Sequence, residues 1–523
     1  MRDFGVRGTY SAAFILSTVG MGLGSNALAQ DAQTKELPPI EVTAQAKKKS
    51  VAAKKKAPTS PVPQAPAVVA EPTPVVELDA SGDADGGLSS GGVDGYRATR
   101  SSTGTKTDTP LIDIPQAITV ITAERAQDQH AVDVNQALRY VPGVIVAQGE
   151  GNRDQIVIRG QNTTADFFVD GVRDDVQYFR DLYNADRLEV LKGPNAMIFG
   201  RGGGGGVVNR VTKKAGEDVR EGTAWIGSFD SYRATADVGA RVSNDFAVRL
   251  NGVYEDSGSF RQGVDLERYG INPTVFFRPT EDTRVWLSYE YFHDERTADR
   301  GIPSLETTPP GGVRAPYPGS IKAFYGDPDL SVSDFDGQNV TATVEHKFSK
   351  DLKIRNHTYY GDFDKFYQNV FASSSVDAAG NYNVGAYNNT LVRDTLINQT
   401  DVTYEFDGGW YGHTLVVGTE FSRQNTRSVR FDGAFPSGGN TGIPADDPTI
   451  DVPVTFTKLA NDNKTHLTTS SVYVQDQLDI TKYFQVIGGV RFDRFDIDAT
   501  NLMSGVPADE RNFGRVDDLW SPR

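Results

Sequence analysis

Beyond Gly216 the side-chain pattern of this chain repeats every two residues, and the period holds over the remaining sequence. In residues 232–242 the even positions read Tyr, Ala, Ala, Val, Ala and Val, and the odd ones Arg, Thr, Asp, Gly and Arg. Ser243-Asn244-Asp245 turns the chain, and Phe246, Val248, Leu250, Gly252 and Tyr254 then alternate against Arg249, Asn251 and Glu255. The same hairpin recurs at 340–348 with 352–360, and at 472–480 with 484–492. A strand points successive side chains to opposite faces, so each segment presents one apolar and one polar face. The connections alternate as well: short turns on one side, long Gly/Pro/Asp-rich loops such as 294–337 and 424–466 on the other. A soluble β-sandwich also alternates, but loops of about forty residues confined to one end are uncommon there. Short turns at one end and long loops at the other mark a membrane-spanning β-barrel.

The N-terminus supports that compartment. Arg2 and Arg7 form a positive start, residues 12–23 an apolar stretch, and Ala27-Leu28-Ala29 a small-residue cleavage site before Gln30. A spanning helix needs about 20 apolar residues, and Ser17, Thr18 and Gly20 interrupt this stretch, so it reads as an export signal. Past Gln30 no run is apolar enough to cross a bilayer as a helix. A closed barrel is the other way to satisfy every backbone group in lipid. The chain has no Cys, which excludes disulfides and thiolate metal sites, and its formal net charge of -16 disfavours a nucleic-acid partner.

Between signal and strands lie two different regions. Residues 46–95, with Lys47-Lys48-Lys49, Lys54-Lys55-Lys56 and prolines at 58, 61, 63, 66, 72 and 74, read as a disordered spacer. From 99 to 215 the pattern is compact and mixed α/β. Strands are predicted at 115–121, 155–159, 167–169 and 187–191, with a helix over 133–140 that Pro142-Gly143 stops. Gly202 to Gly206 do not form a phosphate loop, since no Lys-Ser/Thr pair follows and Val207-Val208-Asn209-Arg210-Val211 continues as a strand. The six His show no metal-ligand spacing, and no nucleophile–base pair stands out, so neither a metal site nor an enzyme is expected.

Three runs in the compact region carry a resemblance: Ile158-Arg159-Gly160, Phe168-Val169-Asp170-Gly171 and Arg187-Leu188-Glu189-Val190-Leu191-Lys192-Gly193-Pro194. In this order, behind an export signal and ahead of amphipathic strands, they resemble the plug domain of TonB-dependent ferric-siderophore receptors, most closely the catecholate subgroup. The resemblance implies a mainly β fold: signal 1–29, coupling segment and linker 30–98, small α/β plug 99–215 and outer-membrane barrel 216–523. Barrels of this type have about 22 strands. About eleven are readable after Gly216, and Trp520-Ser521-Pro522-Arg523 resembles the opening of another, so roughly the second half of the barrel is expected to be missing.

The resemblance also assigns residues. Ile40, Glu41, Val42, Thr43 and Ala44, within Leu37-Pro38-Pro39-Ile40-Glu41-Val42-Thr43-Ala44, resemble the TonB box. Such a short β-branched stretch can add as a strand to a partner's sheet edge. Arg159, Gly160, Asp170, Gly171, Lys192, Gly193 and Pro194 match the structural motifs of the plug. The glycines would supply positive φ, and Arg159 and Lys192 would pair with acidic residues; Lys192 stands where Arg is commoner. Residues 174–184 resemble the plug apex, where Tyr178, Phe179, Arg180 and Tyr183 would meet the ligand by stacking and charge pairing. The implied activity is energy-coupled import of a ferric siderophore by a monomer. Its partners would be the siderophore, TonB with its inner-membrane complex, and outer-membrane lipid. Iron arrives chelated, so no cofactor is implied. A passive porin would share the barrel but has no use for a folded domain ahead of it. A cobalamin or glycan receptor would share everything but the apex.

Overall fold

The computed structural model describes residues 92–307, 312–436, 439–450, 453–481 and 483–523. The expected export signal, coupling segment 40–44 and most of the spacer lie outside the described residues. Among the described residues no helix is long and apolar enough to cross a membrane, which says nothing about a barrel.

The plug is built on a five-stranded sheet in the order Val172–Arg173, Phe167–Val169, Gly206–Thr212, Ala185–Lys192, Ala117–Thr122. The pairing of Phe167–Val169 with Gly206–Thr212 is parallel and the others are antiparallel. A second sheet joins Val144–Ala147, Gln155–Ile158 and Gln161–Thr163. The helix read at 133–140 is Val134–Leu138, capped by Asp133, whose carboxylate accepts from the Gln136 amide at 2.8 Å. Its buried face closes a core of Ile121, Leu138, Ile156, Ile158, Phe167, Leu188, Val190 and Val208.

The plug motifs are turn chemistry. Arg159 (φ 49°) with Gly160 (φ 82°), and Asp170 (φ 47°) with Gly171 (φ 87°), each place two consecutive residues at positive φ. They close the two-residue hairpins Ile158↔Gln161 and Val169↔Val172. Only type I′ turns have this geometry, and glycine at the second position relieves half its strain. Asp170 is fixed by accepting from the Thr212 amide at 3.0 Å and the Thr212 hydroxyl at 2.5 Å.

The expected ion pairs of Arg159 and Lys192 are not formed among the described residues. Arg159 sits exposed at a hairpin tip, its guanidinium laid over Gly193, where a Cβ would meet it at 3.0 Å. Lys192 donates to the Thr119 hydroxyl at 3.1 Å and the Pro142 carbonyl at 3.2 Å. A lysine here ties three plug segments together and needs no carboxylate to do so. Pro194 is exposed, one residue before the cap of the short helix Ala196–Phe199.

Twelve antiparallel strands follow, each paired with the next. They are Val219–Ile226, Tyr232–Ser243, Phe246–Gly258, Asp265–Thr280, Thr283–Thr297, Gly326–Lys347, Leu352–Ala372, Val384–Asp407, Gly412–Ala434, Thr455–Thr481, Phe484–Asn501 and Asn512–Pro522. The twelfth is the segment read as a strand opening; it pairs from Thr500↔Asn512 to Val490↔Pro522. Val219–Ile226 and Asn512–Pro522 are the edges of this sheet. Polarity is inverted relative to a water-soluble sheet: Arg268, Asn272, Glu290 and Asp294 point inward and are buried, while Tyr254, Ile271, Leu287 and Val340 point outward and are exposed. That is the arrangement for lipid outside and a polar lumen inside.

The long connections are shorter than the sequence suggested. Strands run to Thr297 and restart at Gly326, and run to Ala434 and restart at Thr455, inside the spans read as loops. Above the membrane both strand faces meet polar surroundings, so pairing continues while apolar alternation stops. At that end the connections fold on one another around Tyr325, Val370, Val376, Tyr382, Val384, Ala445 and Ile450. Asn381–Tyr382 pairs with Ile443–Pro444, Leu305 bridges Val376, and the Tyr382 hydroxyl donates to the Pro448 carbonyl at 2.6 Å.

Candidate functional site

The plug meets the wall through buried charge. Asp181 accepts from Arg233 at 2.7 and 2.8 Å and lies 3.1 Å from Arg268, and both arginines also bond Glu255 at 2.6 Å. Burial pushes the Asp181 carboxyl up, but Arg268 and Arg233 outweigh it and hold it at about 2. Next to it, Glu290 of the wall accepts from Asn184 at 2.8 Å and from the Tyr183 hydroxyl at 3.2 Å, with Arg210 at 3.5 Å. On the far side Asp175 accepts from Arg393 at 2.6 Å. Lys365 reaches from the wall to the plug carbonyls of Asn152 at 2.9 Å and Gln177 at 2.6 Å.

The four side chains expected at the ligand belong to this seam. Arg180 is 2% exposed. Its guanidinium makes five hydrogen bonds, all inside the plug: to Asp174 Oδ2 at 2.8 Å, Asp154 Oδ2 at 3.3 Å, and the carbonyls of Tyr178 at 3.3 Å, Asp174 at 2.7 Å and Val176 at 2.8 Å. Five donors are all that a guanidinium has, so none is left for a ligand. Tyr178 stacks on Phe335 at 4.2 Å, Phe179 lies under the Arg296 guanidinium at 4.0 Å, and Tyr183 packs against Phe292 and Gly270. The expected ligand-facing role of Tyr178, Phe179, Arg180 and Tyr183 therefore gives way to a packing one. The run of aromatics beside an arginine is legible as contact surface, but the contact it makes is with the chain's own wall.

One guanidinium between two carboxylates leaves a surplus. Asp154 and Asp174 share Arg180, and the Oδ1 atom of each is buried without a hydrogen-bond partner among the described residues. Burial, with Asp133 adding to it and Arg180 opposing, raises the Asp154 carboxyl to about 7.

The plug segment that reaches the long-loop end is the turn Gly149–Gly151 with Asn152 and Arg153. Glu150 (φ 57°) and Gly151 (φ 73°) are both left-handed, and a Cβ on Gly151 would lie 2.4 Å from the Asp299 carbonyl oxygen. The turn is pressed against the wall too closely for any residue but glycine. The Tyr367 hydroxyl donates to the Glu150 carbonyl at 2.9 Å. The Glu150 carboxylate accepts from Arg153 at 2.7 Å and from Arg300 of the wall at 3.2 Å. Arg300 also donates to the hydroxyls of Tyr367 and Tyr387, both at 3.0 Å, and lies 3.6 Å above the Phe371 ring. Arg430 covers the Tyr387 ring at 3.8 Å. This group of partly exposed arginines over buried tyrosine rings went unassigned in the sequence. Its local signal is the polar, glycine-flanked Gly149-Glu150-Gly151-Asn152-Arg153 between two apolar strands; its wall half is scattered over more than a hundred residues.

The fold also brings together His293, Asp334 and Asp336, whose ligand atoms lie within 4.8 Å of one another. This is the one such His/carboxylate group among the described residues, with His293 3.1 Å from Asp336. Paired strand positions produce it, which linear His spacing does not reveal.

Residues 110–207 match the TonB-dependent Receptor Plug Domain, and residues 269–523 the TonB dependent receptor-like β-barrel. The probable TonB-dependent receptor BfrD of Bordetella pertussis is 30% identical over 443 residues, 79% of this chain and 58% of its own length. The catecholate siderophore receptor Fiu of Escherichia coli K12 is 30% identical over 423 residues, 76% of this chain and 55% of its own. The chain thus spans little more than half the length of these curated relatives. The crystal structure of the siderophore receptor PiuA from Acinetobacter baumannii shares the fold, with a TM-score of 0.74 at 24% identity over 82% of this chain and 64% of that one. The closed form of the ferric-catecholate import receptor Fiu from E. coli K12 has a TM-score of 0.68 at 26% identity, with the same coverage. This chain belongs to the TonB-dependent receptors, outer-membrane β-barrels that carry a plug domain.

Proposed function

We propose that the chain acts in energy-coupled uptake of a ferric siderophore across the outer membrane, as a transporter and not as a catalyst. The observation that carries this reading is the contrast within the lumen. A plug is held to the wall by buried ion pairs, beneath a cluster of partly exposed arginines seated on buried tyrosines at the long-loop end. Guanidinium and phenol groups suit an oxygen-rich, anionic chelate, whose iron is cargo already coordinated by its carrier. Relatives named as siderophore receptors support the same reading.

Residues 40–44 would then serve as the TonB box, adding as a strand to TonB, with a monomeric barrel bounded by outer-membrane lipid. Proline at Val42 removes a backbone donor from that strand. Val42→Pro is expected to abolish uptake and leave ligand binding unchanged, as read by radio-iron uptake beside binding in the same cells. The function itself is tested by growth of a receptor-deficient strain under iron limitation, with a panel of ferric siderophores. Absence of rescue by every ferric chelate, with the protein present in the outer membrane, would remove the reading.

A further inference from the structure

Glu150 stands apart from the other plug carboxylates at the wall. Asp181 is wholly enclosed, whereas the Glu150 side chain keeps 38% of its surface exposed at the long-loop end. Its two oxygens are divided between guanidiniums of different parts of the molecule, Oε2 on Arg153 of the plug at 2.7 Å and Oε1 on Arg300 of the wall at 3.2 Å. Burial raises its carboxyl, but Arg153 and Arg300 beside it prevail and keep it below its ordinary value. Arg153 is not saturated: its Nε is buried without a partner among the described residues. Around this group lie the buried phenols of Tyr367 and Tyr387, the Phe371 ring and the Arg430 guanidinium.

From this geometry we propose that Glu150 occupies, in the ligand-free receptor, the subsite that a peripheral anionic oxygen group of the ferric chelate takes on binding. The inference rests on the transport reading above and adds a ligand class to it: anionic chelates able to displace a carboxylate from Arg153 and Arg300. An internal competitor lowers apparent affinity by the fraction of time that it holds the site. It costs an anionic ligand a part of its binding energy, and it leaves an uncharged chelate, which makes no use of that subsite, unaffected. Glu150 thus sets the affinity for anionic chelates by occupying their subsite, a repulsive element built into a binding site.

The test uses the full chain in outer-membrane vesicles and two probes, a triply anionic ferric tris-catechol complex and an uncharged ferric trihydroxamate. Binding is read by quenching of intrinsic fluorescence. Glu150→Gln is expected to bind the anionic complex about tenfold more tightly, equivalent to about 1.4 kcal/mol, and the uncharged one within about twofold. Arg300→Gln is expected to weaken the anionic complex and to erase the gain when combined with Glu150→Gln. Protease resistance, unchanged in all variants, shows that the plug remains seated. Equal or weaker binding of the anionic complex by Glu150→Gln overturns the inference, as does an equal gain for the uncharged one or no anion binding by either chain. Uptake of iron decides the other question. Anion affinity gained in Glu150→Gln without uptake of any ferric chelate sinks the transport reading alone, and uptake without that gain sinks the subsite alone.

Discussion

Asp181 and Glu150 are both plug carboxylates gripped by arginines of the barrel wall, yet one is enclosed and the other faces the outside. The chemistry is the same and the surroundings differ. Asp181, with Arg233, Arg268 and Glu255, forms a closed set of two carboxylates and two guanidiniums away from water. Removing one member of such a set strands the others, whereas a half-exposed pair trades its partner for water at little cost. The same interaction is therefore a lock in the lumen and an exchangeable contact at the rim.

The sharpest way to break that comparison is Arg180→Glu. It would place a third buried carboxylate beside Asp154 and Asp174, a change in the exceptional class above about 4–5 kcal/mol. The expected outcome is loss of folded receptor from the membrane; normal abundance with reduced ligand affinity would restore Arg180 to the ligand. Asp181→Ala comes next. Arg233 and Arg268 lose a buried counter-charge, which costs about 3–5 kcal/mol, measurable as protease access to the plug at lower urea. A loss no greater than that of Glu150→Ala would show that depth makes no difference.

A smaller effect is expected from pH. Asp154 holds its proton in the folded plug up to about pH 7, far above the ordinary carboxyl range near 3.9. A raised folded value means stability that is complete at low pH and is lost as pH rises through it. Plug resistance to urea should therefore fall between about pH 4 and pH 7, and Asp154→Asn should flatten that slope. An unchanged slope would assign it elsewhere. Smallest of all, Glu150→Gln should shift plug stability by less than about 1 kcal/mol, the range of exposed ion pairs. A larger loss in a urea titration would make the rim contact a lock as well.

Much of this architecture is legible along the chain because it is local. Period-two alternation marks the strands at Tyr232–Ser243 and Phe246–Gly258, and the turn residues Arg159-Gly160 and Asp170-Gly171 mark hairpins in the plug. Strand ends beyond the membrane were not legible, because alternation reports a lipid-facing surface and falls silent where both faces are wet. The candidate site was misplaced for another reason. Tyr178, Phe179, Arg180 and Tyr183 have the composition of a ligand surface, but composition does not say whether the partner is a ligand or the chain's own Phe335, Glu290 and Asp174. Glu150 and Arg300 are the converse: each is unremarked in its own segment, and only the fold sets them side by side.

The folded crown of the barrel carries a consequence for recognition from outside the cell. Its segments near Leu305, Tyr325, Val376, Tyr382 and Ile450 share one apolar centre and a strand pairing between Asn381–Tyr382 and Ile443–Pro444. What an antibody or a phage tail would meet there is a mosaic of distant stretches of sequence, so a linear peptide copied from any one of them is a poor mimic. Variation is coupled in the same way. A change that alters how Tyr382 seats under Pro448 would reshape the surface offered by its neighbours, so a substitution in one loop is expected to be felt in the others.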